Sequence, residues 1–287
     1  MKHMKQNYFL GINSKSFHRV SYIEWGKKNS QPIICVHGLS RNAHDFDLLA
    51  RKLVDIKKFV VCPDIVGRGD SDWLLDPKDY TYPLYLSDMT ALIARLNVNS
   101  VGWIGTSMGG MLGMVLAAFA KSPVKYLILN DIGPFIPAEG LNRIKSYRNR
   151  VHTLKFDTLE HANQYFRENY TSFGLSSDEE WEHFTLYSTR EGPDGKYILR
   201  TDPAVNIPSS MGKVSDIDLW YVWREIKCPV LVIRGRESDL LTAETVTKMK
   251  ETHSNCESIE VANAGHAPAL VDPETVGYIL QWIKKQS

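Results

Sequence analysis

The sequence is poor in the features that mark special classes of protein. Its 287 residues include only four cysteines, Cys35, Cys62, Cys228 and Cys256, far apart and without a C-x-x-C pair. That spacing gives neither paired zinc ligands nor the density of a disulfide framework. The expectation is buried free thiols in a reducing compartment. A surplus of either charge is also missing: 34 Lys and Arg against 33 Asp and Glu leave a net charge of +1. Without a basic surplus there is no electrostatic footprint for nucleic acid. Long apolar runs are absent as well. None approaches the roughly 18 residues of a membrane span; the longest, Met111 to Ala120, contains Gly113 and stops at Lys121. The basic start Met1-Lys2-His3-Met4-Lys5-Gln6 is not followed by the apolar stretch of a signal peptide. A cytoplasmic location with no membrane span is expected. No internal repeat or low-complexity tract stands out.

What remains is ordinary globular composition, 43% hydrophobic and 23% charged, in a chain long enough to bury a full core without staples. Short apolar runs at Pro32 to Val36, Phe59 to Cys62, Ser100 to Ile104 and Val124 to Leu129 alternate with segments of helical spacing. Unbroken apolar strands separated by helices imply a parallel sheet covered on both faces. Tyr8 to Ile12 and His18 to Trp25 read as an antiparallel opening pair. From about Gly133 to Glu225 the alternation gives way to a helical, aromatic and charged segment. It resumes with Pro229 to Ile233, a helix from about Ala243 to Glu251, a strand from about Ser258 to Val261 and a helix from Pro273. The economical organisation is a core at 1–132, a helical cap at 133–225 and the rest of the core at 226–287. The two ends of the insertion must lie close together, because the sheet continues across it.

One segment carries chemistry. Gly105-Thr106-Ser107-Met108-Gly109-Gly110 fits G-x-S-x-G with a strand before it and a helix after it, the context in which the serine is lifted above the sheet on a strained turn. A serine hydroxyl needs a base, and the base needs an orienting carboxylate. Of nine histidines, only His266, in Ala264-Gly265-His266-Ala267-Pro268, sits in a post-strand loop between glycine and proline. Asp239, in the loop after the strand at 230–233, is the first choice for the acid, with Glu237 and Asp131 as rivals. The order Ser107, Asp239, His266 matches the chain order of this architecture. An oxyanion hole needs two backbone N–H groups; those of Met108 and Leu39 are the candidates. His37 is expected to shape the His37-Gly38-Leu39 turn, and His37 and Gly38 also stand among the candidates for substrate contact. Arg41 either meets a substrate carboxylate or pairs with Asp45 or Asp47.

With these residues placed, the sequence resembles the α/β-hydrolase superfamily. The landmarks are His37-Gly38, Asp64-Ile-Val-Gly-Arg-Gly-Asp-Ser71, the Gly105 to Gly110 turn, Asp239 and Gly265-His266. The likeness is greatest to the lidded esterases, lactonases and carbon–carbon bond hydrolases. It implies a mostly parallel, doubly wound sheet of about eight strands, with the cap inserted after the sixth. Ser107 stands where the related dehalogenases and epoxide hydrolases carry aspartate, and the oxyanion turn lacks the His-Gly-Gly-Gly run of one lipase group. Gly67-Arg68-Gly69 is no dinucleotide fingerprint, since Asp72 replaces the third glycine; it reads as a structural turn beside the site. The resemblance implies hydrolysis of a carboxylic ester or lactone of a small-to-medium, partly apolar small-molecule substrate. A carbon–carbon bond hydrolase of a ketone-containing acid or an acyltransferase would use the same residues. A non-catalytic small-molecule receptor on the same fold is the alternative from another class. No cofactor and no metal are implied. In the cap, Trp220 and Trp223 are candidates to line the pocket, and Arg143, Lys145, Arg148 and Arg150 form either a solvated helix face or an anion site.

Overall fold

Four-residue apolar runs with no polar side must be covered twice, and the fold covers them twice. The computed structural model describes residues 4–29, 31–151, 154–205 and 215–286, the side chains of 147–151 excepted. Arg148 and Arg150 of the basic cluster, and His152, therefore lie outside the described side chains. The main sheet has eight strands: β1 Met4–Ile12, β2 Phe17–Trp25, β3 Ile33–Val36, β4 Val60–Pro63, β5 Val101–Thr106, β6 Val124–Asn130, β7 Val230–Gly235 and β8 Cys256–Val261. Their order is β1-β2-β4-β3-β5-β6-β7-β8. The β1–β2 and β2–β4 pairs are antiparallel, and the pairs from β4 to β8 are parallel.

Helices connect the strands: α1 Asp47–Asp55, α2 Tyr82–Leu96, α3 Met108–Ala118, α4 Ala138–Val151, α5 Leu159–Asn169, α6 Asp178–Ser188, α7 Trp220–Trp223, α8 Ala243–Thr252 and α9 Pro273–Lys285. Successive strand residues point to opposite faces, and the core divides accordingly. Ile34, Val36 and Trp103 join one cluster with residues of α2, α3 and α8. Ile33, Cys35 and Ile104 join a second with residues of α1 and α9. The edge of Trp282 in α9 meets Tyr126, with ring centroids 5.8 Å apart.

The segment between β6 and β7 differs from the expected all-helical insertion. Besides α4 to α7 it contains a small antiparallel sheet of Lys155–Phe156, Tyr197–Leu199 and Thr189–Glu191. The missed signal is Gly192-Pro-Asp-Gly195: Gly195 takes φ 75°, and Gly192 N–H closes the turn on the Lys196 carbonyl at 2.7 Å. Phe156, Phe166, Tyr170, Trp181 and Phe184 form this segment's own small core. Its two ends meet, because Phe135–Ile136 pairs antiparallel with Ile217–Asp218. Among the described residues, no helix is long and apolar enough to cross a membrane.

Candidate active site

β5 ends at Thr106 and α3 begins at Met108, which leaves one residue for the reversal. Ser107 makes it at φ 50° and ψ −112°, a conformation that costs a non-glycine residue of the order of 1–3 kcal/mol. The flanking glycines make the turn possible. A Cβ on Gly105 would stand 2.3 Å from the Gly109 carbonyl oxygen, and one on Gly109 would stand 2.0 Å from that of Val36. A serine at a helix N-terminus normally caps it with its hydroxyl. Ser107 makes no such bond; its Oγ lies 2.9 Å from His266 Nε2.

The other imidazole nitrogen, Nδ1, lies 2.8 Å from Oδ2 of Asp131. Asp131 is the first residue after β6, at φ 53°, and is fully buried. Its Oδ1 accepts from the Gly235 amide at 2.9 Å, and Oδ2 also accepts from Ser238 Oγ at 2.6 Å and the Ala267 amide at 3.3 Å. All these groups donate, so an acceptor-only carboxylate satisfies every one. The carboxylate thereby places the His266 proton on Nδ1 and turns the Nε2 lone pair toward Ser107.

Asp239, the first choice for the orienting acid, does not take that place. Its carboxylate is half-exposed and grips the Arg143 guanidinium of α4, with Nε to Oδ2 at 2.5 Å and Nη2 to Oδ1 at 2.6 Å. Burial pushes the Asp239 carboxyl up, but the Arg143 bond and charge outweigh it and hold it below the usual range. The cause is local. Ser238 N–H bonds back to the Gly235 carbonyl at 3.0 Å, which turns the Ser238 hydroxyl inward onto Asp131 and the next side chain outward. Glu237 is exposed.

The turn after β3 is set by His37. The Ile65 amide can only donate, and it donates to His37 Nε2 at 2.9 Å. The ring proton therefore sits on Nδ1 and goes to the Gly38 carbonyl at 2.7 Å. Burial, together with the Arg68 and Arg41 charges, lowers the His37 pKa to about 3 despite that bond. Carbonyl and N–H of one trans peptide point in opposite directions. Pinning Gly38 O between His37 Nδ1 and the Arg41 amide, at 3.2 Å, therefore aims the Leu39 N–H the other way. Met108 is the first residue of α3, where the amide has no partner within the helix.

A cavity of about 890 Å³ opens over Ser107 and His266, mostly lined by apolar side chains such as Met111, Ile132, Ile136, Leu141, Phe173 and Leu240. Gly38, Leu39 and Arg41 line it. Arg41 is already engaged: Nε reaches Asp45 at 3.0 Å, Nη1 donates to Ser188 at 2.7 Å and the guanidinium lies 3.8 Å over the Phe184 ring. Asp47 pairs instead with His44 at 2.9 Å. Three expected contacts fall elsewhere. His37 is fully buried behind the turn. Trp223 is buried in the main core with Nε1 on Thr252 at 3.1 Å. Trp220 lies in the same core, under Lys248 Nζ at 4.3 Å. Both tryptophans lie on a four-residue helix that packs against α3, so their rings serve the fold. Among the described residues, no group of three or more His, Cys, Asp or Glu is arranged to hold a metal.

The model of the alpha/beta hydrolase fold family matches residues 31–273. The chain belongs to that family. This alpha/beta hydrolase is 40% identical over 280 residues to the 3-hydroxybutyrate-oligomer hydrolase of Cupriavidus necator, with 94% of each chain covered. An alpha/beta hydrolase structure from Novosphingobium aromaticivorans superposes with TM-score 0.88 at 32% identity over 99% of both chains. The fold of E-2-(acetamidomethylene)succinate hydrolase matches with TM-score 0.82 at 22% identity, covering 98% of this chain and all of the other. The chain is a hydrolase by these relationships.

Proposed function

We propose that this alpha/beta hydrolase cleaves a carboxylic ester or lactone of a small-to-medium, partly apolar substrate through an acyl-enzyme on Ser107. The observation that carries the reading is the unbroken run Ser107 Oγ, His266 Nε2, His266 Nδ1 and Asp131 Oδ2, at 2.9 and 2.8 Å, on the floor of an apolar cavity. Ser107 Oγ attacks the acyl carbon and its proton passes to His266 Nε2. The carbonyl π pair moves onto oxygen, where the Leu39 and Met108 amides meet it. Collapse expels the alcohol oxygen, which takes the proton from His266. Water then repeats the sequence, forming the acid and freeing Ser107. Asp131 holds the imidazole and stabilises its charged form.

The 3-hydroxybutyrate-oligomer relative supports an ester-linked oligomer of a short hydroxy acid as the substrate class. The engagement of Arg41 by Asp45 and Ser188 removes the support that a free Arg41 would give to a ketone-containing acid. The test is fluorophosphonate labelling with peptide mapping, run beside turnover of p-nitrophenyl esters of increasing chain length. Label on Ser107, with turnover lost in a folded Ser107→Ala protein, is expected. Retained turnover in that variant overturns the reading.

A further inference from the structure

The Gly67-Arg68-Gly69 turn does more than bend the chain. Both glycines take positive φ, 85° and 56°. A Cβ on Gly67 would stand 2.5 Å from the Tyr80 ring, and one on Gly69 2.2 Å from the Asp64 carboxylate carbon. The carboxylate of Asp64 fixes the turn by accepting from the Ala43 and Asp70 amides at 2.7 and 2.9 Å. So constrained, the turn drives Arg68 inward until it is fully buried.

The guanidinium touches both residues whose amides are assigned above to the acyl oxygen, at the Leu39 carbonyl and the Met108 sulfur. Nε donates to the Leu39 carbonyl at 2.8 Å, and Nη2 lies 3.7 Å from Met108 Sδ. Nη1 donates to the Val66 carbonyl at 2.7 Å and the Tyr85 hydroxyl at 2.9 Å. Among the described residues none of these partners is a carboxylate, so the buried charge is held by neutral groups without a direct ion pair. A fold carries such a charge at a cost that good hydrogen bonding only partly offsets. Its field is strong in a low-dielectric interior and costs no reorganisation during reaction.

We infer that Arg68 is a positioning residue of the reaction: it fixes the Leu39 turn against Met108 and biases that pair of amides toward a negatively charged acyl oxygen. The inference rests on the Ser107 ester chemistry proposed above. Because the charge on that oxygen develops only in the transition state, losing Arg68 lowers kcat and leaves KM nearly unchanged. A side chain that merely filled space would show no such split. The experiment compares p-nitrophenyl butyrate turnover by the wild type, Arg68→Gln, Arg68→Lys and Ser107→Ala, with Kd for phenylboronic acid, which forms an anionic adduct on an active serine. Arg68→Gln is expected to lose about tenfold or more in kcat, with KM within about twofold, and to bind the boronic acid correspondingly more weakly. Arg68→Lys, which keeps the charge, recovers part of both. Should neither arginine variant fold, Tyr85→Phe carries the test. It keeps the ring and removes one acceptor of the guanidinium, with an expected fall in kcat of about threefold at constant KM. Unchanged kcat in a folded Arg68→Gln, or in Tyr85→Phe where that stands in, overturns the inference while Ser107→Ala is inactive. Activity in Ser107→Ala instead overturns the underlying ester reading.

Discussion

The choice between two aspartates gives the sharpest test of the site. Asp131→Asn changes one atom beside His266, and Asp239→Asn makes the same change one loop away. In Asp131 the two carboxylate oxygens accept from four donors: Gly235 N–H, Ser238 O–H, Ala267 N–H and the His266 ring. An asparagine presents an oxygen to only one side of that ring of donors, and its NH2 must face an N–H or O–H on the other. A buried mismatch of this kind costs about 1–3 kcal/mol of stability. The catalytic cost is larger, because the amide also permits the wrong imidazole tautomer. For an orienting aspartate of a serine hydrolase the loss in kcat is about 10⁴-fold, equivalent to about 5.5 kcal/mol of transition-state stabilisation. Asp239→Asn breaks only a half-exposed pair with Arg143, worth about 0–1 kcal/mol, and should leave kcat within about threefold. Initial rates on p-nitrophenyl butyrate measure the first effect and urea midpoints the second. A folded Asp131→Asn enzyme within tenfold of wild type, beside a collapsed Asp239→Asn, would refute the reasoning.

Three further outcomes follow from the same geometry. His37 stays neutral in the folded protein down to about pH 3, whereas in the unfolded chain it gains its proton near its ordinary value of about 6.5. Its stabilising contribution is therefore complete above about pH 6.5 and falls as pH drops toward 3, by about 1.4 kcal/mol per unit. The stability difference between wild type and His37→Gln, from urea unfolding, should shrink by about 2–3 kcal/mol between pH 6.5 and 4.5; a pH-independent difference refutes this. Gly109→Ala puts a Cβ 2.0 Å from the Val36 carbonyl oxygen, a backbone atom that cannot swing aside. It should cost about 1–3 kcal/mol and reduce Ser107 labelling, seen as a lowered thermal midpoint and slower fluorophosphonate capture. Trp223→Phe opens space in the core and loses the Thr252 bond, so stability should fall by about 1–3 kcal/mol with KM unaltered; a KM change of tenfold would restore Trp223 to the pocket.

The legible parts of this chain are those where local pattern and tertiary role coincide. The central strands β3 to β7 are largely apolar runs because helices cover both of their faces. The G-x-S-x-G segment is readable because the reversal at Ser107 leaves no room for a Cβ on either flanking glycine. The carboxylate that meets His266 is not legible in that way. Asp131 and Asp239 both follow a sheet strand, and both lie between Ser107 and His266 in the chain, so order and spacing treat them alike. What separates them is that Asn130 ends a strand beside β5 and β7 at once, which sets the next side chain between the two loops that carry Ser107 and Ser238. The residue after Ser238 faces outward from a turn closed by the Ser238 amide on Gly235 and by the Leu240 and Leu241 amides on the Ser238 hydroxyl. The tryptophans fail for the reverse reason. Aromatic residues near the return into the sheet suit a pocket wall and a core equally well, and only the packing of α7 on α3 decides for the core. Asp131 and the Arg68 turn thus share one property: their meaning lies in what stands three-dimensionally beneath them. A buried carboxylate ringed by donors and a buried cation held by neutral groups are visible only once the sheet has brought their partners together.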